Sequence, residues 1–397
     1  MISAAIIFDN FGPYHVARLR AASGVCGLTA IEVAGSSATY SWESTTTNGD
    51  FKRITLAEKQ TSEEISAVEL RRRLDGALDE IQPAVVMVPG WASQAAWGAM
   101  KWCLARSVPM IVMSESTEWD EPRFGWKEGI KKRLVGLFSA ALAGGARHRD
   151  YLEKLGMPAG RIHFGYDAID NHYFRVAVDK VRSSVEETRR RRPLPEVYFL
   201  ASARFVEKKN LVRLLEAYAL YRKTATPPAW SLVLLGDGAL RSQLEARIAE
   251  LGLRDHVRMP GFVQYGELPN YYALAGAFVH PSTIEPWGLV VNEAMASGLP
   301  VLVSERCGCV PELVREGENG FTFDPLSIEE MAEGMRRVAA ADFPRADFAG
   351  RSSAIVADWG PERFARGVAQ AIEAALTKPP PSPSAIDRVL LSLLMRR

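Results

Sequence analysis

Two glutamates, Glu285 and Glu293, are separated by seven residues in the segment 280–325 of this 397-residue chain. Gly288 lies between them, and a helical pattern follows from Leu289. Carboxylates accept hydrogen bonds from sugar and ribose hydroxyls, whereas backbone amides at a helix amino end bind phosphate. The segment therefore predicts a site for both ends of a nucleotide sugar.

The roles of the two glutamates differ with their positions. Glu293 lies one helical turn after Leu289, so it can reach a ribose next to phosphates held by the amides of Leu289 and Val290. Glu285 lies in the preceding loop and can meet a sugar on the other side. From spacing alone, an ordinary helix carboxylate and a surface loop charge are equally good interpretations.

Two basic residues precede this segment. Arg204 stands at the end of a predicted strand and Lys208 in the loop that leads to the next helix. Both could converge on a diphosphate and stabilise a departing nucleoside diphosphate. Charged loops after strands are common, so this pattern alone identifies little.

Composition sets the broad class. Hydrophobic residues make up 47% of the chain and charged residues 24%, with a formal net charge of +1. Neither nucleic-acid binding nor a span of roughly 18 apolar residues is indicated. The apolar amino terminus predicts a buried strand and not a signal peptide. We expect a cytoplasmic protein, with attachment to the inner membrane face left open.

Strands and helices alternate in both halves of the chain, which predicts an α/β protein with two Rossmann-like, doubly wound parallel-sheet domains. A charged interval, residues 178–195, is expected to be a linker. The tail is apolar on one side, so it is either an interfacial anchor or a terminus without a role. The predicted parts are 1–185 and 186–360 as domains, 361–378 as a carboxyl-terminal helix, and 379–397 as a proline-rich tail.

Five motifs follow one another in the order ARFVEKKN, LLGDG, MPGFV, HPSxxEPWGLVxxEAMASGxPV and NGF. This order resembles the family-four retaining glycosyltransferases of the GT-B fold. The resemblance is strongest over 197–325 and continues more weakly over 145–174. It implies two domains facing a cleft, with the helix 361–378 crossing back to the amino-terminal, acceptor-side domain.

The resemblance also implies roles for the charged residues of the carboxyl-terminal domain. Arg204 and Lys208 match the basic pair that holds the donor diphosphate, with Lys209 as the alternative lysine. Glu285 matches the acidic residue facing the donor sugar. Glu293 matches the residue that binds the ribose hydroxyls.

Further donor contacts are implied along both domains. Gly288, Leu289 and Val290 match the loop and amides at the phosphates. Val263 falls where the backbone of the family meets the base. Gly12 matches a glycine loop that approaches the donor from the other domain.

The chain departs from the family pattern in its amino-terminal half. Residues 114–120 contain no histidine where many members carry one. Either Glu115 takes its place or this subgroup needs none. His15, near the start of the first helix, is either an acceptor-side contact or a structural residue.

These features predict transfer of a sugar from a nucleoside-diphosphate donor, a UDP-sugar or GDP-sugar, to an acceptor hydroxyl. Retention of configuration is implied by the resemblance. No D-x-D triplet is present, so we expect transfer without metal or cofactor. A polysaccharide, glycolipid or lipid-linked precursor is the expected acceptor. The alternatives are an epimerase or hydrolase of the same fold and a non-catalytic nucleotide-sugar-binding protein.

Overall fold

The computed structural model of the protein describes residues 1–36 and 49–395. The chain divides into two compact units. The first comprises Met1–Ile169 together with Gly360–Arg397, and the second comprises Asp170–Trp359. This division comes earlier in the chain than the expected boundary after residue 185.

Within its described residues, the first unit contains seven strands interspersed with helices. In chain order they are β1 (Ser3–Phe8), α1 (Pro13–Ala22), β2 (Gly27–Ala34), β3 (Lys52–Ala57), α2 (Ala67–Ile81), β4 (Val85–Pro89), α3 (Gln94–Arg106), β5 (Met110–Ser114), α4 (Gly125–Val135), β6 (Ala140–Ala143), α5 (Ala146–Lys154) and β7 (Ile162–Phe164).

These strands form one parallel sheet in the order β3-β2-β1-β4-β5-β6-β7. Alternate residues of β1 enter two cores on opposite faces: Ala5 and Ile7 join one, and Ile6 and Phe8 join the other. A parallel sheet covered by helices on both faces requires such continuous apolar strands.

The second unit repeats this plan. Its elements are α6 (Asn171–Arg182), α7 (Val185–Arg191), β8 (Tyr198–Ser202), α8 (Leu211–Thr224), β9 (Ser231–Leu235), α9 (Arg241–Glu250), β10 (Val257–Gly261), α10 (Leu268–Leu274), β11 (Ala277–His280), α11 (Leu289–Ala296), β12 (Val301–Ser304), α12 (Val310–Leu313), β13 (Gly320–Phe323), α13 (Ile328–Ala339) and α14 (Arg345–Ala357).

The sheet of the second unit is also parallel, in the order β10-β9-β8-β11-β12-β13. The chain leaves β8 toward one edge of the sheet and later returns to β11 beside it. Ligands of doubly wound sheets bind at such a switch point, outside the carboxyl ends of the strands. The loops after β8 and β11 therefore define the place to search for a site.

Two helices complete the first unit, α15 (Pro361–Thr377) and α16 (Ala385–Leu394). Gly367 of α15 lies so close to β7 that a Cβ there would be 2.1 Å from the carbonyl oxygen of Phe164. α16 packs on α3 and buries Leu391 in the core of the unit. Arg396 and Arg397, the basic end of the expected anchor, lie outside the described residues.

The expected linker, 178–195, is mostly helical. The end of α6 and all of α7 lie in this interval, and Thr188 is buried. α6 packs on α10 and α11, which explains why it belongs to the second unit. Among the residues that the structure describes, none of the helices is both long and apolar enough to cross a membrane.

Candidate functional site

Glu285 lies in the loop between β11 and α11, and two neighbouring loops hold that loop in place. The Thr283 amide donates to the carbonyl of Lys208 at 2.9 Å, which joins the loop after β8 to the loop after β11. The Gly308 amide donates to the carbonyl of Glu285 at 3.0 Å. The backbone around the carboxylate is thereby fixed from both sides.

Three donors converge on one oxygen of the Glu285 carboxylate. The Lys209 ammonium contacts Oε2, His280 Nε2 lies 2.7 Å from it, and Ser282 Oγ lies 3.2 Å from it. Burial alone would raise the pKa of Glu285, but the hydrogen bond from His280 and the charge of Lys209 outweigh it. The net pKa lies well below the ordinary value, so Glu285 is ionised at neutral pH.

His280 acts as a hydrogen-bond donor to this carboxylate. Burial lowers its pKa, so the ring is neutral at neutral pH, although Glu285 works in the opposite direction. An ionised carboxylate only accepts hydrogen bonds, so the proton of the neutral ring lies on Nε2. His280 and Ser282 were not assigned a role from sequence, although both stand in the HPS motif.

Lys209, and not Lys208, meets Glu285. The two lysines lie in a single 3₁₀ turn, Glu207–Lys209, that precedes α8. Asn210 follows with φ of 57° and donates to the carbonyls of Pro281 and Pro325 at 3.1 and 2.7 Å. This fixed turn directs Lys209 to the Glu285 carboxylate.

Gly288 begins α11 with φ of 104°, a conformation that favours glycine. A Cβ there would lie 3.3 Å from Cγ of Glu285. Leu289 and Val290 form the first turn of α11, where an α-helix leaves backbone amides without a partner inside the helix. A positive helix end therefore stands directly after the Glu285 loop.

Glu293 lies further along α11 and is buried. Its Oε2 accepts a hydrogen bond of 2.6 Å from the hydroxyl of Tyr272 on α10. Burial and the charge of Glu293 raise the pKa of Tyr272 well above its ordinary value, so the hydroxyl keeps its proton. Tyr272 also had no role assigned from sequence, because 21 residues separate it from Glu293.

The other expected donor residues of this unit lie at the same edge of the sheet. Arg204 is exposed and follows β8, and Val263 follows β10. The structure thus gathers the loops that carry Arg204, Lys209, Glu285 and the start of α11 at the carboxyl ends of β8 and β11.

The residues expected from the first unit lie after its strands. Gly12 precedes α1, and its amide donates to Nδ1 of His15 at 3.1 Å. Burial, assisted by Arg18, holds the pKa of His15 well below its ordinary value. The neutral ring thus caps the amino end of its own helix. This contact is structural, whatever else His15 does.

Glu115 follows β5 and is half-buried. Burial raises the pKa of Tyr166, and the charge of Glu115 raises it further. The loop that follows is held by Arg123, which donates to the carbonyl of Glu118 at 2.6 Å and to the hydroxyl of Tyr151 at 2.8 Å. Glu115 therefore occupies an ordered loop at the carboxyl end of the first sheet.

Two Rossmann-like units with these switch-point loops define the GT-B class of glycosyltransferase folds. Sucrose-phosphate synthase from Thermosynechococcus elongatus superposes with a TM-score of 0.75 at 18% identity, covering 95% of this chain and all of that one. Anabaena Alr3699/HepE, solved in complex with UDP, gives a TM-score of 0.70 at 16% identity over 94% of this chain and all of that one.

Residues 184–351 match the family model for glycosyl transferases group 1. Mannosylfructose-phosphate synthase of Agrobacterium fabrum is 28% identical over 56% of this chain and 50% of that protein. The lipopolysaccharide core biosynthesis glycosyltransferase LpsE of Rhizobium meliloti is 32% identical over 44% of this chain and 47% of that protein. This chain thus spans about half the length of these relatives. It has the GT-B fold, and its second unit contains the residues that resemble the glycosyl transferases group 1 model.

Proposed function

We propose that the protein transfers a sugar from a nucleoside-diphosphate sugar to an acceptor hydroxyl, with retention at the anomeric carbon and without metal. The observation that carries the proposal is the ionised Glu285, held by Lys209 and His280 directly before the amino end of α11. A sugar hydroxyl needs a hydrogen-bond acceptor such as the Glu285 carboxylate, and the neighbouring diphosphate needs a positive helix end such as the start of α11.

The donor binds along the second unit in this proposal. Glu293 accepts hydrogen bonds from the ribose hydroxyls, and the amides of Leu289 and Val290 hold the phosphates. Arg204 and one of the two lysines, Lys208 or Lys209, supply further positive charge. Val263 meets the base through its backbone, and Gly12, which belongs to the first unit, is a further residue proposed for donor binding.

Bond making and breaking take place on one face of the sugar. The acceptor oxygen bonds to the anomeric carbon while the bond from that carbon to the diphosphate oxygen breaks. The departing diphosphate oxygen takes the acceptor proton. Cationic side chains and helix amides stabilise the charge that develops on the leaving group.

Glu285 binds the sugar in this mechanism and forms no covalent bond. Three donors on its Oε2 stabilise the ionised form and lower its basicity, which disfavours nucleophilic attack. On the first unit, Glu115 and His15 are the residues assigned to the acceptor side.

The acceptor class we propose is a surface polysaccharide, a glycolipid or a lipid-linked precursor. The similarity to LpsE, a lipopolysaccharide core enzyme by its name, supports this class. The similarity of fold to HepE bound to UDP supports a UDP-sugar donor. Because such acceptors are lipid-linked or membrane-bound, the location we propose is the cytoplasm, at the inner face of the membrane.

Retention is tested by NMR of the product formed from an α-linked donor once donor and acceptor are identified by screening. We expect an α-linked product and no sugar adduct on the protein. A β-linked product, or a glycosyl group trapped on Glu285, would rule out front-face transfer. Replacing Glu293 by alanine should weaken donor binding, and unchanged affinity would refute its ribose role.

A further inference from the structure

Two neighbouring helices of the first unit expose large apolar side chains. Trp126 of α4 is 62% exposed, and Phe124, directly before that helix, is 49% exposed. On α16, Ile386, Val389 and Leu393 are each more than half exposed. Burying such side chains is the main favourable term in association, so their concentration here marks a candidate contact surface.

α16 is apolar on two faces. Leu391 points into the core, and Leu390 and Leu394 pack against it. Ile386, Val389 and Leu393 follow one another at spacings of three and four, so they form a stripe on another side of the helix. Packing inside the unit accounts for only the first face. The residues of the second face do not belong to the described core clusters.

α4 adds positive charge. It carries four cations against one carboxylate, and that carboxylate, Glu128, accepts from Tyr151 at 2.9 Å and pairs with Lys131. Lys132 and Arg133 are exposed. Arg133 lies seven residues after Trp126, two turns along the same side of the helix.

One ion pair joins the two helices. Nη1 of Arg133 lies 3.0 Å from the carboxylate of Asp387, which also accepts from the amide of Ser384 at 2.9 Å. Asp387 therefore caps α16 and fixes its amino end beside the carboxyl end of α4. We name the surface formed by Trp126, Lys132, Arg133, Ile386, Val389 and Leu393 the α4–α16 surface.

We propose that the α4–α16 surface binds the protein to an anionic lipid bilayer. Tryptophan favours the interfacial layer of a membrane, aliphatic side chains enter the acyl boundary, and lysine and arginine attract anionic headgroups. In a two-fold contact with a second copy, the Lys132 ammonium would face an identical surface, on which the Asp387 carboxylate is already paired with Arg133. Charge complementarity therefore favours an anionic bilayer as the occupant.

The proposal rests on the proposed function for its purpose, which is to bring the site to a lipid-linked acceptor. Binding to lipid does not itself require turnover, so the two can be tested apart. The test is flotation of the full-length protein with vesicles of phosphatidylcholine alone and of phosphatidylcholine mixed with phosphatidylglycerol.

Two variants remove the two kinds of contact, and two controls match them. The triple variant Ile386→Ser, Val389→Ser, Leu393→Ser removes the apolar stripe, and Lys132→Glu reverses one charge. Val68→Ser, on the exposed side of α2, and Lys59→Glu are the matched controls in the same unit. Circular dichroism and thermal unfolding establish that each variant is folded.

Wild type and both controls should float with the anionic vesicles, and much less with the neutral ones. The triple variant should lose at least about tenfold in bound fraction, and Lys132→Glu at least about fivefold. Wild type that binds neither vesicle, or variants that bind as the controls do, would overturn the proposal. So would a dimer in sedimentation that the triple variant abolishes.

Binding of UDP and GDP, measured on the same samples by thermal shift, separates the two proposals. Variants that lose vesicle binding and keep the nucleotide effect support the α4–α16 surface alone. Wild type that binds vesicles without any nucleotide effect contradicts the proposed transferase site and leaves the lipid surface standing.

Discussion

At the scale of single residues, Glu293 is paired with Tyr272. Replacing Tyr272 by phenylalanine removes the 2.6 Å hydrogen bond that orients the buried carboxylate. We expect nucleoside diphosphate affinity to fall roughly tenfold, as for loss of a hydrogen bond to a charged group. The 2′,3′-dideoxy nucleotide should bind wild type and variant alike, because it lacks the hydroxyls that Glu293 is proposed to bind.

Tyr218→Phe is the matched control for this substitution. Tyr218 is a buried tyrosine of the same unit, and its hydroxyl donates to the carbonyl of Trp230 at 2.9 Å. Its loss should lower stability without changing nucleotide affinity. Equal losses for the ribose and dideoxy nucleotides in Tyr272→Phe would contradict the assignment of Glu293 to the ribose.

Replacing Glu285 by glutamine leaves Lys209 and His280 without an ionised partner. We expect the transfer rate to fall roughly 100-fold. Glu329→Gln, at an exposed position of α13, is the control and should have no effect.

Because the pKa of Glu285 is lowered, its contribution to stability is present above the ordinary value of 4.5 and is lost progressively as the pH falls below it. Urea unfolding should therefore give a stability difference between wild type and variant that is constant near neutral pH and shrinks below about pH 4.5. A growing difference in acid would contradict this charge state.

Part of the candidate site could be predicted from the sequence residue by residue. The helix start after Gly288 could be predicted, because a glycine before a helical pattern is a local signal. The donors to Glu285 could not, because they depend on how the loop 281–287 folds back on His280 and on the turn that presents Lys209 instead of Lys208. The contact of Tyr272 with Glu293 depends on how α10 packs on its neighbours, and this packing cannot be predicted from the spacing of residues in the sequence.

At the scale of elements, the position of α15 depends on a close approach to β7. A Cβ at Gly367 would lie 2.1 Å from the carbonyl oxygen of Phe164 and 2.6 Å from Leu142. Gly367→Ala should therefore destabilise the protein by about 1–3 kcal/mol in chemical denaturation. Gly76→Ala, in α2 with nothing within 4 Å, should stabilise it by about 0.5–1 kcal/mol. Similar behaviour of the two variants would show that the backbone contact is not what requires Gly367.

Element boundaries were least predictable where composition and packing disagree. The run of arginines at 189–192 is typical of a solvated linker, yet it closes a helix. Arg189 donates to the carbonyl of Glu196 at 2.8 Å, which ties that helix to the chain before β8. α6 joins the second unit through Phe174, whose ring lies 5.4 Å from that of Tyr265. A local sequence pattern cannot predict such tertiary contacts.

At the scale of the whole molecule, alternation of strands and helices predicted two parallel-sheet units, and the structure confirms them. Cationic side chains and a helix end are proposed to do the work of a metal on the diphosphate. Transfer should therefore keep its full rate in excess chelator, measured as release of nucleoside diphosphate. A loss of rate that magnesium restores would contradict this part of the mechanism.

The central claim is that the loops of the second unit bind a donor whose sugar is passed to an acceptor. It is tested most directly by nucleoside diphosphate release from UDP-sugars and GDP-sugars, with and without polysaccharide or lipid-linked acceptors. The account predicts release that depends on acceptor and that Glu285→Gln lowers roughly 100-fold. Equal release without acceptor, or nucleotide-sugar binding without any release, would contradict it.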